Sequence, residues 1–315
     1  MIDIRKMLSG VKENVSMAEY TTFKIGGKAK YFFAAKTPEQ LVKSIKVAKQ
    51  LRLPFFIMGE GSNLLVSDKG YKGMIIKMGN NGIKINNRSI IADAGVSLRT
   101  VVKLATDSVL TGLEWAEGIP GSVGAAVYGN VGAFGSTMAN NIKSVRVLDI
   151  RSLKIKTLSQ KDCRFNNKHS IFKVNKDLII LSVVLEVKPG EKNVITQEVK
   201  RFGDYRKANH PLSFPSAGCI FKNYTKKITN KNLLKKYPEL NEFNKGSRIP
   251  TSYLIDKAGV KGKKIGGAQV SEKHANFIIN TGGAKAEDVV KLIKVVKQKV
   301  KAKFNIKLEE EVQHL

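Results

Sequence analysis

Apolar and polar positions along this chain follow distinct periods that change in blocks. In TPEQLVKSIKVAKQL (37–51), Leu41, Ile45, Ala48 and Leu51 recur at helical spacing. Thr37 is the expected N-cap, Pro38 suits the first helical position, and Gln40 completes a capping box. Short apolar runs at 53–58, 63–66, 74–77 and 90–93 are bounded by Gly, Asn or Asp and read as strands. Ser97 is expected to cap a helix through Ala105, with Gly112 beyond its end. Strands are predicted at 144–150 and 178–187, then a basic, helix-compatible stretch ending at NHPLSFP. Strand-like CIFKN (219–223) follows. A last helix, 286–304, sets Val289, Ile293, Val296, Val300 and Phe304 on one face, with Glu287 and Asp288 where the helix dipole favours them. The pattern is α+β, in two or three lobes.

At 315 residues the chain is long enough for about two domains, and 42% apolar residues supply a sizeable core. KPGEKN (188–193) is the natural boundary. Two cysteines, Cys163 and Cys219, make neither a disulfide framework nor the paired spacing of a zinc site, as expected in a reducing cytosol. The N-terminus lacks an apolar core of secretory length, and no run approaches a membrane span. A cytoplasmic protein is expected, without a metal site. The formal charge of +29 admits a nucleic-acid binder. The lysines are scattered, however, and aromatics do not interleave with basic clusters, which favours solvated lysines. A positive cleft would still draw in small anions.

Two glycine-rich stretches stand out. In GEGSNLLV (59–66), Gly59 and Gly61 let the backbone approach a ligand, and Ser62 and Asn63 add short polar groups beside N–H donors. By itself this is also an ordinary turn. EGIPGSVGAAVYGNVGAFG (117–135) holds six glycines, yet Ile119, Val123, Val127 and Phe134 make it a packed segment rather than a linker. It should lie against another backbone or a flat ligand.

YTTFKIGG, GEGSNLLVSDKG, AEGIPGSVGAAVYGNVGAFG, PSAGCIFKN and GGAQVSEKHANFIIN occur in this order over nearly the whole chain. Together they resemble the UDP-N-acetylenolpyruvoylglucosamine reductase family, in its shorter form. The resemblance implies an FAD-binding region of the vanillyl-alcohol-oxidase type at 22–190, in lobes 22–80 and 81–190. A substrate-binding domain at 191–315 would follow, with 1–21 as an N-terminal segment. It implies that NADPH reduces the flavin, and that UDP-N-acetylglucosamine enolpyruvate is then reduced to UDP-N-acetylmuramate. A monomer with no specific nucleic-acid partner and no membrane association is expected.

The resemblance also implies residues. Gly59, Gly61, Ser62, Asn63, Ile119, Pro120, Gly121, Ser122, Gly124, Asn130 and Gly132 would hold FAD. Cys219 stands where the family usually has a serine proton donor, and a thiol is the stronger acid. Glu311, directly before Val312, would be the catalytic carboxylate, with Glu309 and Glu310 as decoys. Lys168 takes the place of a family arginine and Asn167 that of a tyrosine; lysine keeps the charge but not the bidentate fork. Gln313 replaces a frequent basic residue, which removes one substrate-phosphate contact. Asn223, Lys222, Tyr205 and Arg206 would bind substrate, with His210 and His274 as weaker candidates for the UDP moiety. Cys163 reads as structural. Two competing readings are another flavin oxidoreductase on the same scaffold and a non-catalytic, basic nucleic-acid binder.

Overall fold

A computed structural model describes residues 3–315. They form two compact units. Unit 1 takes in residues up to Ser16, Lys28–Gly61 and Tyr71–Ala208; unit 2 takes in Met17–Gly27, Ser62–Gly70 and Asn209–Leu315. The helix Lys192–Asn209 therefore lies almost wholly in unit 1, whereas the sequence reading began the second domain at 191.

Unit 1 carries two large sheets. The first orders its strands Lys12–Ser16, Lys28–Ala35, Tyr71–Met78, Phe55–Met58. Its last three strands run parallel, which requires a crossover, and the helix Pro38–Gln50 supplies it. Leu41, Ile45 and Ala48 are the buried stripe of that helix. Thr37 caps it by accepting from Gln40 N, while Gln40 Oε1 accepts from Lys36 N, one residue earlier than in the usual capping box. The second sheet is antiparallel, in the order Lys154–Ser159, Ile142–Asp149, Leu178–Glu186, Ser89–Asp93, Ile83–Asn86. The helix Leu98–Asp107 begins at its Ser97 cap and outruns the expected Ala105 by two residues. The glycine-rich segment also contains a helix, Val123–Gly129.

Unit 2 is built on an antiparallel sheet in the order Ser216–Cys219, Phe277–Asn280, Ala268–Val270, Lys264–Ile265. The helix Ala286–Phe304 buries Val289, Leu292, Ile293, Val296, Val300 and Phe304. Both distant segments join this core: Phe23, Ile25 and Leu65 are buried in the same cluster. Asp68 accepts from Ala286 N (2.8 Å) and Glu287 N (3.0 Å), satisfying two of the N–H groups that open the helix. No helix of the described residues is long and apolar enough to cross a membrane.

Candidate active site

In unit 1 the two glycine stretches meet. Val123 N donates to Val96 O, Gly124 N to Ala94 O, and Leu98 N to Gly121 O, so the segment is seated on residues 94–98. A Cβ on Gly124 would lie 2.7 Å from Ala94 Cβ, and one on Gly59 would lie 2.3 Å from Ser122 Oγ. Close chain–chain packing thus accounts for Gly124. Gly59 and Ser122 place the two motifs side by side. Ser122 is buried, and its hydroxyl has no hydrogen-bond partner. A buried orphan hydroxyl is costly unless a ligand meets it. Beside backbone stripped of side chains, it fits the phosphates of an FAD. Asn130 differs: its side chain donates to Asn166 O (2.9 Å) and accepts from Ala139 N (3.0 Å), so it braces the loop. Gly132 opens a short hairpin that carries Phe134 at its tip.

Unit 1 also holds Lys168, Tyr205 and Arg206. Lys168 is half-buried at φ 52°, in a turn closed by reciprocal backbone bonds between Asn166 and His169. Arg206 is buried; its Nε donates to Glu117 O at 2.6 Å, and its guanidinium lies 5.2 Å from the Phe134 ring centre. Tyr205 stands edge-on to the same ring. Cys163 is fully buried, and burial, with Asp162 nearby, pushes its thiol up to about 12. Such a thiol stays protonated and inert.

Unit 2 brings Cys219 and Glu311 onto adjacent segments. The strand Ser216–Cys219 pairs with Phe277–Asn280 through an irregular register, and Gly218 adopts φ 73° where the ladder breaks. The strand thus ends at Cys219 rather than starting there, as CIFKN had suggested. Beyond it, buried Asn276 brackets Phe221, accepting from its N–H and donating to its carbonyl. The segment 309–315 then threads between two others. Lys222 N donates to Glu309 O (2.9 Å), and Glu311 N to Ile220 O (2.8 Å). On the other side Asn63 Nδ2 donates to Glu311 O (3.0 Å), and Gln313 and His314 pair in parallel with Leu64 and Leu65.

Several expected ligand groups have structural partners. Asn63 holds the Glu311 backbone. Asn223 Oδ1 accepts from Thr251 N (3.1 Å), and Lys222 pairs with Glu309 (3.2 Å). His274 stacks edge-on against His210 and Phe277, and burial holds it below the usual histidine range. Sequence reasoning missed Asn276 and Asp68, because nothing local marks a partner 55 or 218 residues away.

An FAD binding domain matches residues 29–158, and the UDP-N-acetylenolpyruvoylglucosamine reductase C-terminal domain matches 210–315. The reductase of Lactobacillus acidophilus is 36% identical over 99% of this chain and 97% of its own length. This chain belongs to the UDP-N-acetylenolpyruvoylglucosamine reductase family. The reductase of Caldicellulosiruptor bescii is 39% identical over 95% of this chain and 88% of its own. The crystal structure of the Thermus caldophilus reductase superposes with a TM-score of 0.75 at 28% identity, covering 95% of this chain and 97% of that one. As a member of the family the chain is a flavin-dependent oxidoreductase of peptidoglycan precursor synthesis, with FAD as cofactor and an α+β fold. Membership sets aside both competing readings, another flavin oxidoreductase on the same scaffold and a non-catalytic, basic nucleic-acid binder.

Proposed function

We propose that this reductase takes electrons from NADPH and reduces UDP-N-acetylglucosamine enolpyruvate to UDP-N-acetylmuramate, with Cys219 as the proton donor. Bound FAD supplies the hydride that adds to the enolpyruvyl β carbon. Negative charge then develops on the carboxylate side of the substrate. Lys168 stabilises that charge by cationic attraction, and Glu311 by donating a hydrogen bond from the acid form of its carboxyl. The Cys219 thiol delivers a proton to the α carbon, which completes the reduction. Tyr205, Arg206, Lys222 and Asn223 are assigned to the UDP-sugar. Gly59, Gly61, Ser62, Ile119, Pro120, Gly121 and Ser122 line the FAD site.

One observation carries the reading of Cys219 and Glu311. The Glu311 N–H bonds to the carbonyl of Ile220, the residue next to Cys219, so one backbone hydrogen bond ties the donor's strand to the carboxylate's segment. The test is an anaerobic flavin spectrum. Bleaching by NADPH, then recovery on adding the enolpyruvyl substrate, is expected. A flavin that bleaches without recovering would overturn the assignment of substrate or donor.

A further inference from the structure

Three consecutive glutamates, Glu309, Glu310 and Glu311, lie in the segment beside Cys219. The backbone changes partner here. Residues up to Glu311 bond to 220–222, and those from Gln313 onward bond to 63–67. Each pairing is only two or three residues long. Such short ladders specify register weakly, and a one-residue slip turns every side chain to the opposite face. In this run of three glutamates, a one-residue slip would still leave glutamate at two of the three positions. The short backbone pairings alone therefore do not select which carboxylate is presented.

Side-chain partners break this degeneracy. Glu310 Oε1 is 2.5 Å from Lys297 Nζ, on the buried-faced helix Ala286–Phe304. Glu310 Oε2 is 2.5 Å from His314 Nε2. One carboxylate thus joins the helix to the far end of the same segment, spanning Glu311 between. Glu309 is held by Lys222 from the other side. A fully exposed ion pair would do little. The Glu310 side chain is only 23% exposed, and both its oxygens have partners. Burial pushes the Glu310 pKa up, but the Lys297 and His314 hydrogen bonds outweigh it and hold the carboxyl below the usual glutamate value. Along extended chain neighbouring side chains face opposite ways, so anchoring Glu310 to the helix turns Glu311 away from it.

We propose that Glu310, latched by Lys297 and His314, is a positioning residue that fixes the register of residues 309–314 and so presents Glu311 as the reacting carboxylate. This rests on the reading of Glu311 given above. Glu310 itself touches neither substrate nor cofactor in this role.

The experiment uses FAD-loaded protein, dithionite-reduced, so that NADPH plays no part. Flavin reoxidation by UDP-N-acetylglucosamine enolpyruvate is followed by stopped flow, and amide hydrogen exchange is followed in a peptide spanning 305–315. Glu310→Gln and Lys297→Met are expected to speed exchange in that peptide and slow reoxidation roughly 10- to 100-fold at saturating substrate, the scale of a misplaced reacting group. Lys297→Arg, which keeps the charge, should restore both, and it also serves if a disruptive variant fails to bind FAD. Wild-type reoxidation rates in Glu310→Gln and Lys297→Met overturn the proposal, whether or not exchange changes. Glu311→Gln separates the two ideas. If it reoxidises at the wild-type rate, the reading of Glu311 fails; if it is slow while Glu310→Gln is not, only the latch fails.

Discussion

Single residues set the chemistry. Replacing Cys219 by Ala should leave FAD bound and slow substrate reduction roughly 10²–10⁴-fold, the usual contribution of a positioned acid, as measured in single-turnover reoxidation. Gly59→Ala would put a methyl group 2.3 Å from Ser122 Oγ, so the purified protein should show a reduced flavin-to-protein absorbance ratio. His274 gives a pH prediction. Burial holds it below the ordinary value of 6.5, opposed by a smaller backbone hydrogen bond, with Lys261 adding a lesser lowering. The unfolded chain therefore takes up this proton at higher pH than the folded one. The associated stability is full above about 6.5 and is lost as pH falls through the lower folded value. Urea midpoints should drop on acidification, and drop less in His274→Gln. Cys219 and Glu311 were legible as candidates only, because motif wording pointed to them. The partners of Asn63 and Glu310 were not, since a tie such as Asn63 to Glu311 spans 248 residues and leaves no local pattern.

At the scale of elements, amphipathic stripes and local caps carried the legible part. The helices Pro38–Gln50 and Ala286–Phe304 each bury the face that their spacing marked, and Leu98–Asp107 starts at its expected Ser97 cap. Lys154–Ser159 escaped because it is an edge strand with mostly exposed residues and no apolar alternation. The helix Val123–Gly129 escaped because its glycines argue against helix, and its packing on Ala94 overrides that propensity. The cap of Ala286–Phe304 was also hidden. Glu287 and Asp288 signalled a helix start, but the carboxylate that bonds the first N–H groups is Asp68, from another segment. Asp68→Ala should destabilise unit 2 by about 1–2 kcal/mol in denaturant unfolding, whereas a surface Asp107→Ala should do far less.

At the scale of the molecule, the +29 charge has a general electrostatic consequence. Its expected effect is weak, strongly salt-dependent retention on any polyanion, with no sequence preference. The more telling feature is that unit 2 draws on three stretches of chain. A fragment of residues 209–315 would lack Phe23, Ile25 and Leu65, each almost fully buried. At about 2 kcal/mol apiece, their loss approaches the whole stability of an ordinary domain. Calorimetry of that fragment should show no cooperative melting.

The same feature bears on how the protein is made. Residues 17–27 and 62–70 leave the ribosome well before the sheet and helix that will cover them. At about 5–20 residues per second, Leu65 waits on the order of ten seconds or more for the helix Ala286–Phe304. Through that interval its side chain, with those of Phe23 and Ile25, lacks the helix and sheet whose core it joins. The nascent chain must be shielded by chaperones, or rely on its many lysines to keep neighbouring copies apart, until synthesis is nearly finished.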